Sequence, residues 1–239
     1  MASKQKRRDI NILVILVIVL FVINYPFLDN SLKNLLNEEE EVFVNRIIDG
    51  DTIEAENRNE SIRLLGINTP ERGEFLYGEA RDFLEGEILG KNVTLEFTKD
   101  RYDKYDRTLA YVFLNGKNIN LELVENGFAN YYFYEGKDKY SDDLTDAWGK
   151  CIEKNVNLCE KSANICAPCI DINSYSITNS CSFSCDIDGW IIKGEGREKF
   201  VFNGTLNPGM DFKFSLDLTN SGGSLFLRDE KGKLALWKY

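Results

Sequence analysis

The sequence contains no histidine among its 239 residues. Neutral imidazole is a common general base near neutral pH and a frequent ligand of zinc and iron. Its absence excludes Ser-His-Asp triads, histidine general bases and histidine-held metals. Any catalysis must come from carboxylates, arginines, lysines, tyrosines, cysteines or a bound ion. Positive charge is also scarce, since 29 basic residues face 39 acidic ones for a net of −10. That balance is a poor footprint for a broad groove that binds a polyanion. No internal repeat and no low-complexity segment is present.

What is there begins with an apolar stretch. After a basic segment, 1–9, with Lys4, Lys6, Arg7 and Arg8, residues 10–28 are polar only at Asn11, Asn24 and Tyr25. At about 1.5 Å per residue a helix of this length reaches roughly 28 Å, close to the thickness of a bilayer core. It is expected to be an uncleaved transmembrane anchor with its basic end in the cytoplasm. The alternative is a signal peptide with secretion after cleavage, but such cores are usually shorter and no small-x-small site follows Leu28. Beyond the polar linker 29–41, with its run Glu38 to Glu41, the chain is then expected to lie outside the cell membrane.

Cysteine placement divides the remainder. Residues 42–160 hold two of the six cysteines, and four crowd between Cys166 and Cys185, so a first domain at 42–160, a linker at 161–168 and a second domain at 169–239 are expected. In the first, residues 42–48, 52–55 and 61–65 read as short strands between turn residues. Residues 77–89 have helical spacing at Ala80, Phe83, Leu84 and Ile88, with Gly90 as the stop. Residues 93–97 and 109–114 read as strands, the latter followed by an Asn115-Gly116 tight turn. Residues 119–125 suit a helix ending at Gly127, and 142–155 a third with Ser141 as N-cap. This order suits a small α+β Greek-key barrel, although composition alone permits other α+β layouts.

Three pieces of this domain carry chemistry: Asp49-Gly50-Asp51-Thr52, the stretch from Arg63 to Glu71, and Asp103-Lys104-Tyr105-Asp106-Arg107. Phosphodiester hydrolysis needs an attacking water and neutralisation of a phosphorane-like dianion. Arginine suits the second need, since its planar fork makes two charge-assisted bonds to phosphate and stays protonated. Glu71 suits the first, as a carboxylate that orients or deprotonates water. Asp51 and the oxygens at Asn68 and Thr69 suit a hard cation. Taken singly, Asp49 to Thr52 is a tight turn, either arginine is a surface residue, and Glu71 merely opens the helix after Pro70. Together they point to one phosphodiester-cleaving site.

The text Ile48-Asp49-Gly50-Asp51-Thr52, Arg63-Leu64-Leu65-Gly66-Ile67-Asn68-Thr69-Pro70-Glu71, Tyr77-Gly78-Glu79-Ala80, residues 103–111 and residues 123–129 resembles the staphylococcal nuclease (thermonuclease) family, in family order, over residues 44–158. The resemblance implies an oligonucleotide-binding-type five-stranded barrel with three helices, and calcium-dependent hydrolysis of DNA and RNA. It implies that Arg63 and Arg107 bind the scissile phosphate and stabilise the transition state, and that Glu71 activates water. It implies Ca2+ held by Asp51, Asn68 and the Thr69 carbonyl. Lys104 and Tyr105 then touch a terminal phosphate, and Tyr132 or Tyr134 a base.

One position departs from the pattern. Asn68 stands where the family's best-known members carry an aspartate, which removes a negative charge from the site, so weaker calcium binding or help from Asp49 is expected. Residues 42–150 hold 14 basic and 22 acidic residues, a net of −8. Shallow affinity and a single-stranded or frayed substrate, chosen by accessibility, are therefore expected, with no obligate protein partner. The acidity also fits adaptation to a salty surrounding. The competing reading is a catalytically inactive nucleic-acid or protein binding module tethered to the membrane. Asn68 favours it, and the joint presence of Arg63, Glu71 and Arg107 opposes it.

Six cysteines outside a membrane favour disulfides, with 15 possible pairings. A zinc site from Cys166-x-x-Cys169 and Cys181-x-x-x-Cys185 is the rival. With no histidine to activate it, a catalytic cysteine is the weakest reading. Residues 169–239 alternate in short strands broken by Gly, Asn and Asp, the pattern of an all-β immunoglobulin-like sandwich. Ile187-Asp188-Gly189-Trp190, Leu206-Asn207-Pro208-Gly209 and the run from Leu227 to Leu234 resemble a lamin-tail domain. That resemblance implies adhesion or presentation of DNA or a surface component. The alternative is a stabilising appendage with Trp190 and the phenylalanines as core. Asn59, Asn92 and Asn203 begin Asn-x-Ser/Thr sequons, glycan sites only in a host that glycosylates such proteins.

Overall fold

Val42, Val44 and Ile47 face inward from the first strand, β1 (Glu39–Asp49). Their spacing steps from two to three where β1 bulges between Val44 and Arg46 against its partner, which re-aims the strand. β1 pairs with β2 (Thr52–Ala55), and β2 with β3 (Ile62–Leu64). Between β3 and the rest comes the short β4 (Ile67–Asn68), followed later by the long β5 (Asn92–Tyr102) and β6 (Thr108–Leu114). The sheet order is β3-β2-β1-β5-β6, and β3 also pairs in parallel with β6, which closes a five-stranded barrel. A closed barrel leaves its main strands no free edge. β7 (Lys117–Asn118) extends β6, and β8 (Asn130–Tyr131) pairs with β4.

The chain divides into Met1–Glu40 and a compact unit, Glu41–Tyr239. The computed structural model describes residues 19–20, 39–133, 136–216 and 223–238. The apolar segment 10–28 and most of the linker 29–41 lie outside the described residues, apart from helical Val19 and Leu20 and strand residues Glu39 to Glu41. Among the described residues no helix is long and apolar enough to cross a membrane.

Three helices pack on the barrel. α1 (Tyr77–Ile88) buries Ala80, Leu84 and Ile88, and the chain leaves it through Gly90, at φ +71°, whose N–H donates to the Val44 carbonyl. α2 (Ile119–Glu125) is capped by Asn118, whose side chain accepts the Leu121 N–H, and it is followed by Gly127 at φ +71°. Asn115 and Gly116, both at positive φ, make the tight turn before β7. α3 (Ser141–Lys154) ends at left-handed Asn155. Ser141 is not its N-cap, which is Tyr140. The Ser141 hydroxyl is instead bonded to Asp138, accepting its N–H and donating to its carboxylate, so it has left the helix terminus for the preceding turn.

After residue 161 come antiparallel sheets of three, two and four strands. The four-stranded sheet runs Lys199–Val201, Ile191–Lys193, Leu225–Arg228, Leu234–Lys238. All six cysteines are in disulfides, Cys151–Cys159, Cys166–Cys185 and Cys169–Cys181, so no thiolate remains for zinc. The barrel core does not end at its own strands. Phe226 and Leu234 belong to it, with Trp148 edge-on to Phe226 and Trp237. The Tyr131 hydroxyl is shared by Ser224 and the Trp237 indole N–H. A second cluster around Trp190, Phe202 and Ile177 holds the C-terminal sheets.

Gly66, at the corner between β3 and β4, has φ +71°, and a Cβ there would lie 2.5 Å from Leu144 Cδ1 and 2.7 Å from the Tyr111 hydroxyl. Gly66→Ala is therefore expected to destabilise the protein by about 2 to 4 kcal/mol, combining a strained backbone with overpacking. Urea unfolding measures it, and an unchanged midpoint would contradict the corner's close fit.

Candidate active site

The barrel's closing pair sets the site. In the parallel β3–β6 ladder Ile62 faces Thr108 and Arg63 faces Leu109, so Arg107, just ahead of β6, arrives beside Arg63 although 44 residues separate them. Both arginines line one cavity of about 1030 Å³, together with Asn68, Lys104, Tyr105 and Tyr132. That volume is at the upper end of ordinary ligand sites.

Arg63 is buried and rests on a buried carboxylate. Its Nε lies 3.1 Å from Asp51 Oδ1, and its terminal nitrogens donate to the carbonyls of Leu64 and Ile67. Asp51 is 3% exposed, and its other oxygen accepts both the N–H and the hydroxyl of Thr69, at 3.0 and 2.9 Å. Burial acts to raise the Asp51 pKa, but the Arg63 charge and the Thr69 and Thr52 hydrogen bonds outweigh it and leave it below the ordinary value. Asp49 moves the other way, raised by burial and by the Asp51 charge beside it. One of these two neighbours is thus firmly ionised and the other less so.

Arg107 is held by Asp103, whose carboxylate takes Nε at 2.8 Å and Nη2 at 2.7 Å and also the Arg107 and Tyr105 backbone N–H groups. These bonds hold the Asp103 pKa below the ordinary carboxylate value against its partial burial. The Lys104 ammonium and the Arg107 guanidinium both lie over the ring of exposed Tyr105, at 5.2 and 5.5 Å. Such a rim offers cation and ring together to a nucleotide.

The opposite wall comes from the C-terminal sheets. The tip of the hairpin joining Ile191–Lys193 to Lys199–Val201, residues 194–198, lines the same cavity. Lys193 and Lys199 face each other at its base, a repulsive pair unless bridged, and Glu74 bridges them at 2.9 and 2.7 Å. Glu195 is buried at the tip and accepts the N–H groups of Phe133 and Ser224, one oxygen each. The Asn130 and Asn68 side chains donate to the carbonyls of Glu195 and Gly196, both at 3.1 Å. Arg197 then reaches Glu71, Nε to Oε1, at 2.6 Å.

The cavity thus gathers six of the residues singled out from the sequence. Asp51 and Thr69 are not in its wall and adjoin it through Arg63 and Asn68. Glu71 is outside the wall too, and meets it through Arg197. Tyr134 lies outside the described residues. Glu195 and Arg197 were not foreseen; the only signal was a run, Lys193 to Lys199, of five charges and two glycines. Asn68 also has a second use, because its amide donates to Gly196 and an aspartate would present only acceptors there. For a cation, Asp51, Asn68, Thr69 and Glu71 offer carboxylate, amide and carbonyl oxygens, the donors calcium takes. The set fits that ion in kind, with both carboxylates already met by Arg63 and Arg197.

Residues 61–161 match the family model described as Staphylococcal nuclease homologue. The thermonuclease of Staphylococcus intermedius is 35% identical over 130 residues, which span 51% of this chain and 77% of the relative. The thermonuclease of Staphylococcus hyicus is 33% identical over 159 residues, 60% of this chain and 94% of the relative. The chain belongs to the staphylococcal nuclease family. Endonuclease YncB of Bacillus subtilis is 38% identical over 122 residues, covering 47% of this nuclease-family chain and 56% of the relative. The family match ends at residue 161, before the C-terminal sheets that wall the cavity.

Glu74 gives the hairpin a pH dependence. Burial acts to raise its pKa, but the Lys199 hydrogen bond and the Lys193 charge overcome this and pull it from the ordinary 4.5 to about 2. A depressed carboxylate stabilises the fold fully above its unfolded value and loses that contribution as pH falls through the folded one. The stability advantage of the native protein over Glu74→Gln is expected to be constant above about pH 4.5 and to shrink toward about pH 2. Urea unfolding of both proteins across that window measures it, and a pH-independent gap would contradict it.

Proposed function

We propose that this chain is a calcium-dependent nuclease that hydrolyses phosphodiester bonds of DNA and RNA, with single-stranded or frayed ends as preferred substrate. The observation that carries the reading is the cavity where Arg63, Arg107, Lys104 and Tyr105 meet, in a member of the staphylococcal nuclease family. Arg63 and Arg107 bind the non-bridging oxygens of the scissile phosphate, exchanging part of their hold on Asp51 and Asp103 for it. Their charge is aimed at the dianion that develops as water attacks phosphorus. Glu71 takes the proton of that water as its oxygen bonds to phosphorus, and the opposite P–O bond breaks in line, its oxygen leaving as an alcohol with a proton from solvent. Asp51, Asn68 and Thr69 would hold the calcium ion, which would supply polarisation of a phosphoryl oxygen. Lys104 and Tyr105 take a terminal phosphate, and Tyr132 or Tyr134 a base.

On the same reading, residues 10–28 anchor the enzyme in the cell membrane with its catalytic part outside the cell, a compartment that suits its disulfides. Residues 42–160 form the nuclease domain and 169–239 a lamin-tail-like immunoglobulin-type domain. The short antiparallel sheets and their Trp190-centred core support the latter.

Cleavage of a labelled single-stranded oligonucleotide by the full chain, with calcium and with chelator, tests this. Glu71→Gln is expected to lower kcat by about 100-fold or more while oligonucleotide binding is retained. No cleavage by folded native protein at any calcium level, or full activity in the variant, would contradict the assignment.

A further inference from the structure

We infer that Arg197, delivered by the C-terminal hairpin, is a third phosphate-binding arginine of this site, and that its resting partner is Glu71. The inference rests on the proposed nuclease reading and adds a substrate-binding residue from outside the barrel. The tip is fastened to the barrel by the buried Glu195 carboxylate, by the Asn68 and Asn130 amides and, at its base, by Glu74. A loop bound through buried hydrogen bonds on three sides is part of the cleft wall and not a mobile cover.

Arg197 differs from the rest of that tip. Its side chain is 53% exposed, it pairs with Glu71 at 40% exposure, and it lines the cavity whereas Glu71 does not. An exposed ion pair of this kind costs little to exchange. A phosphate entering between Arg63 and Arg107 presents a stronger, bidentate partner for a guanidinium than a solvated carboxylate does. Transfer of Arg197 from Glu71 to the phosphate backbone does two things at once. It adds a cation to a cleft whose host protein carries a net charge of −10, and it uncovers Glu71 toward the cavity.

Asn68 fits this arrangement. Its Nδ2 donates to the carbonyl of Gly196, the residue next to Arg197, and so helps to hold the backbone from which that cation projects. The tip also carries Glu195, whose carboxylate is already met by two N–H groups, and Glu198, so Arg197 is the one cation that residues 194–198 supply to the cavity.

The test uses the full chain, a 5′-labelled single-stranded oligonucleotide and chelator to prevent turnover, with affinity read by fluorescence anisotropy across a salt series. Arg197→Ala is expected to weaken binding about tenfold and to reduce the slope of log K against log salt by about 0.7, the loss of one phosphate contact to a single strand. Arg197→Lys is expected to keep most of the slope, and in calcium Arg197→Ala is expected to raise KM more than it lowers kcat. A folded Arg197→Ala protein with unchanged affinity and slope would overturn the proposal. So would tighter binding or faster cleavage in that variant, which would make Arg197 a plug. Native protein that binds but does not cleave in calcium would instead sink the nuclease reading while leaving the binding comparison intact.

Discussion

A carboxylate removed from water must be met by hydrogen-bond donors, and at Glu195 those donors come from both halves of the compact unit. Phe133 follows the last short strand of the barrel, and Ser224 precedes a strand of the four-stranded C-terminal sheet. Leaving either oxygen unmet would cost about 1–3 kcal/mol or more, so Glu195 fixes the hairpin tip to both at once. Around it the same joint is repeated in apolar form. Trp148 of α3 packs on Phe226 and Trp237, and Tyr131 shares its hydroxyl with Ser224 and Trp237. The hairpin therefore stands where the barrel's cleft needs a second wall.

The three arginines at the cleft follow one electrostatic pattern. Arg63 rests on Asp51, Arg107 on Asp103 and Arg197 on Glu71, each as a close ion pair. Burial decides how tightly each is held: the first pair is enclosed, the second partly so, and the third is open to solvent. A site built to receive a phosphate has surplus positive charge when empty, and resting carboxylates discharge it without occupying the space the substrate takes. On the proposed reading the graded burial sets an order, with Arg197 the first to change partner and Arg63 the most fixed in direction.

Much of the barrel was legible because its signals are local. The Asn115-Gly116 turn, the stops at Gly90 and Gly127 and the buried face of α1 each depend on residues within a few positions. Ser141 failed as an N-cap because a competitor only three residues away, Asp138, took its hydroxyl. The nuclease motifs were legible as text, but their meeting required the parallel β3–β6 pairing, which has no local signature. The C-terminal hairpin was missed for the same reason, since the Asn68–Gly196 bond spans 128 positions and the Glu74–Lys199 pair 125. Nothing in a period of two or 3.6 announces such a contact. The cysteines told of disulfides but not of their pairing, which the fold of 166–185 decides.

The hairpin tip is built into the nuclease cleft. Native-state hydrogen exchange of the full chain tests it at the two amides that Glu195 accepts, Phe133 N–H and Ser224 N–H. If the tip is docked as described, both exchange as slowly as the amides of the barrel strands, because releasing them requires opening the joint itself. If they exchange on the timescale of exposed loops while the barrel strands stay protected, the tip is not part of the cleft and the account of the composite site is wrong.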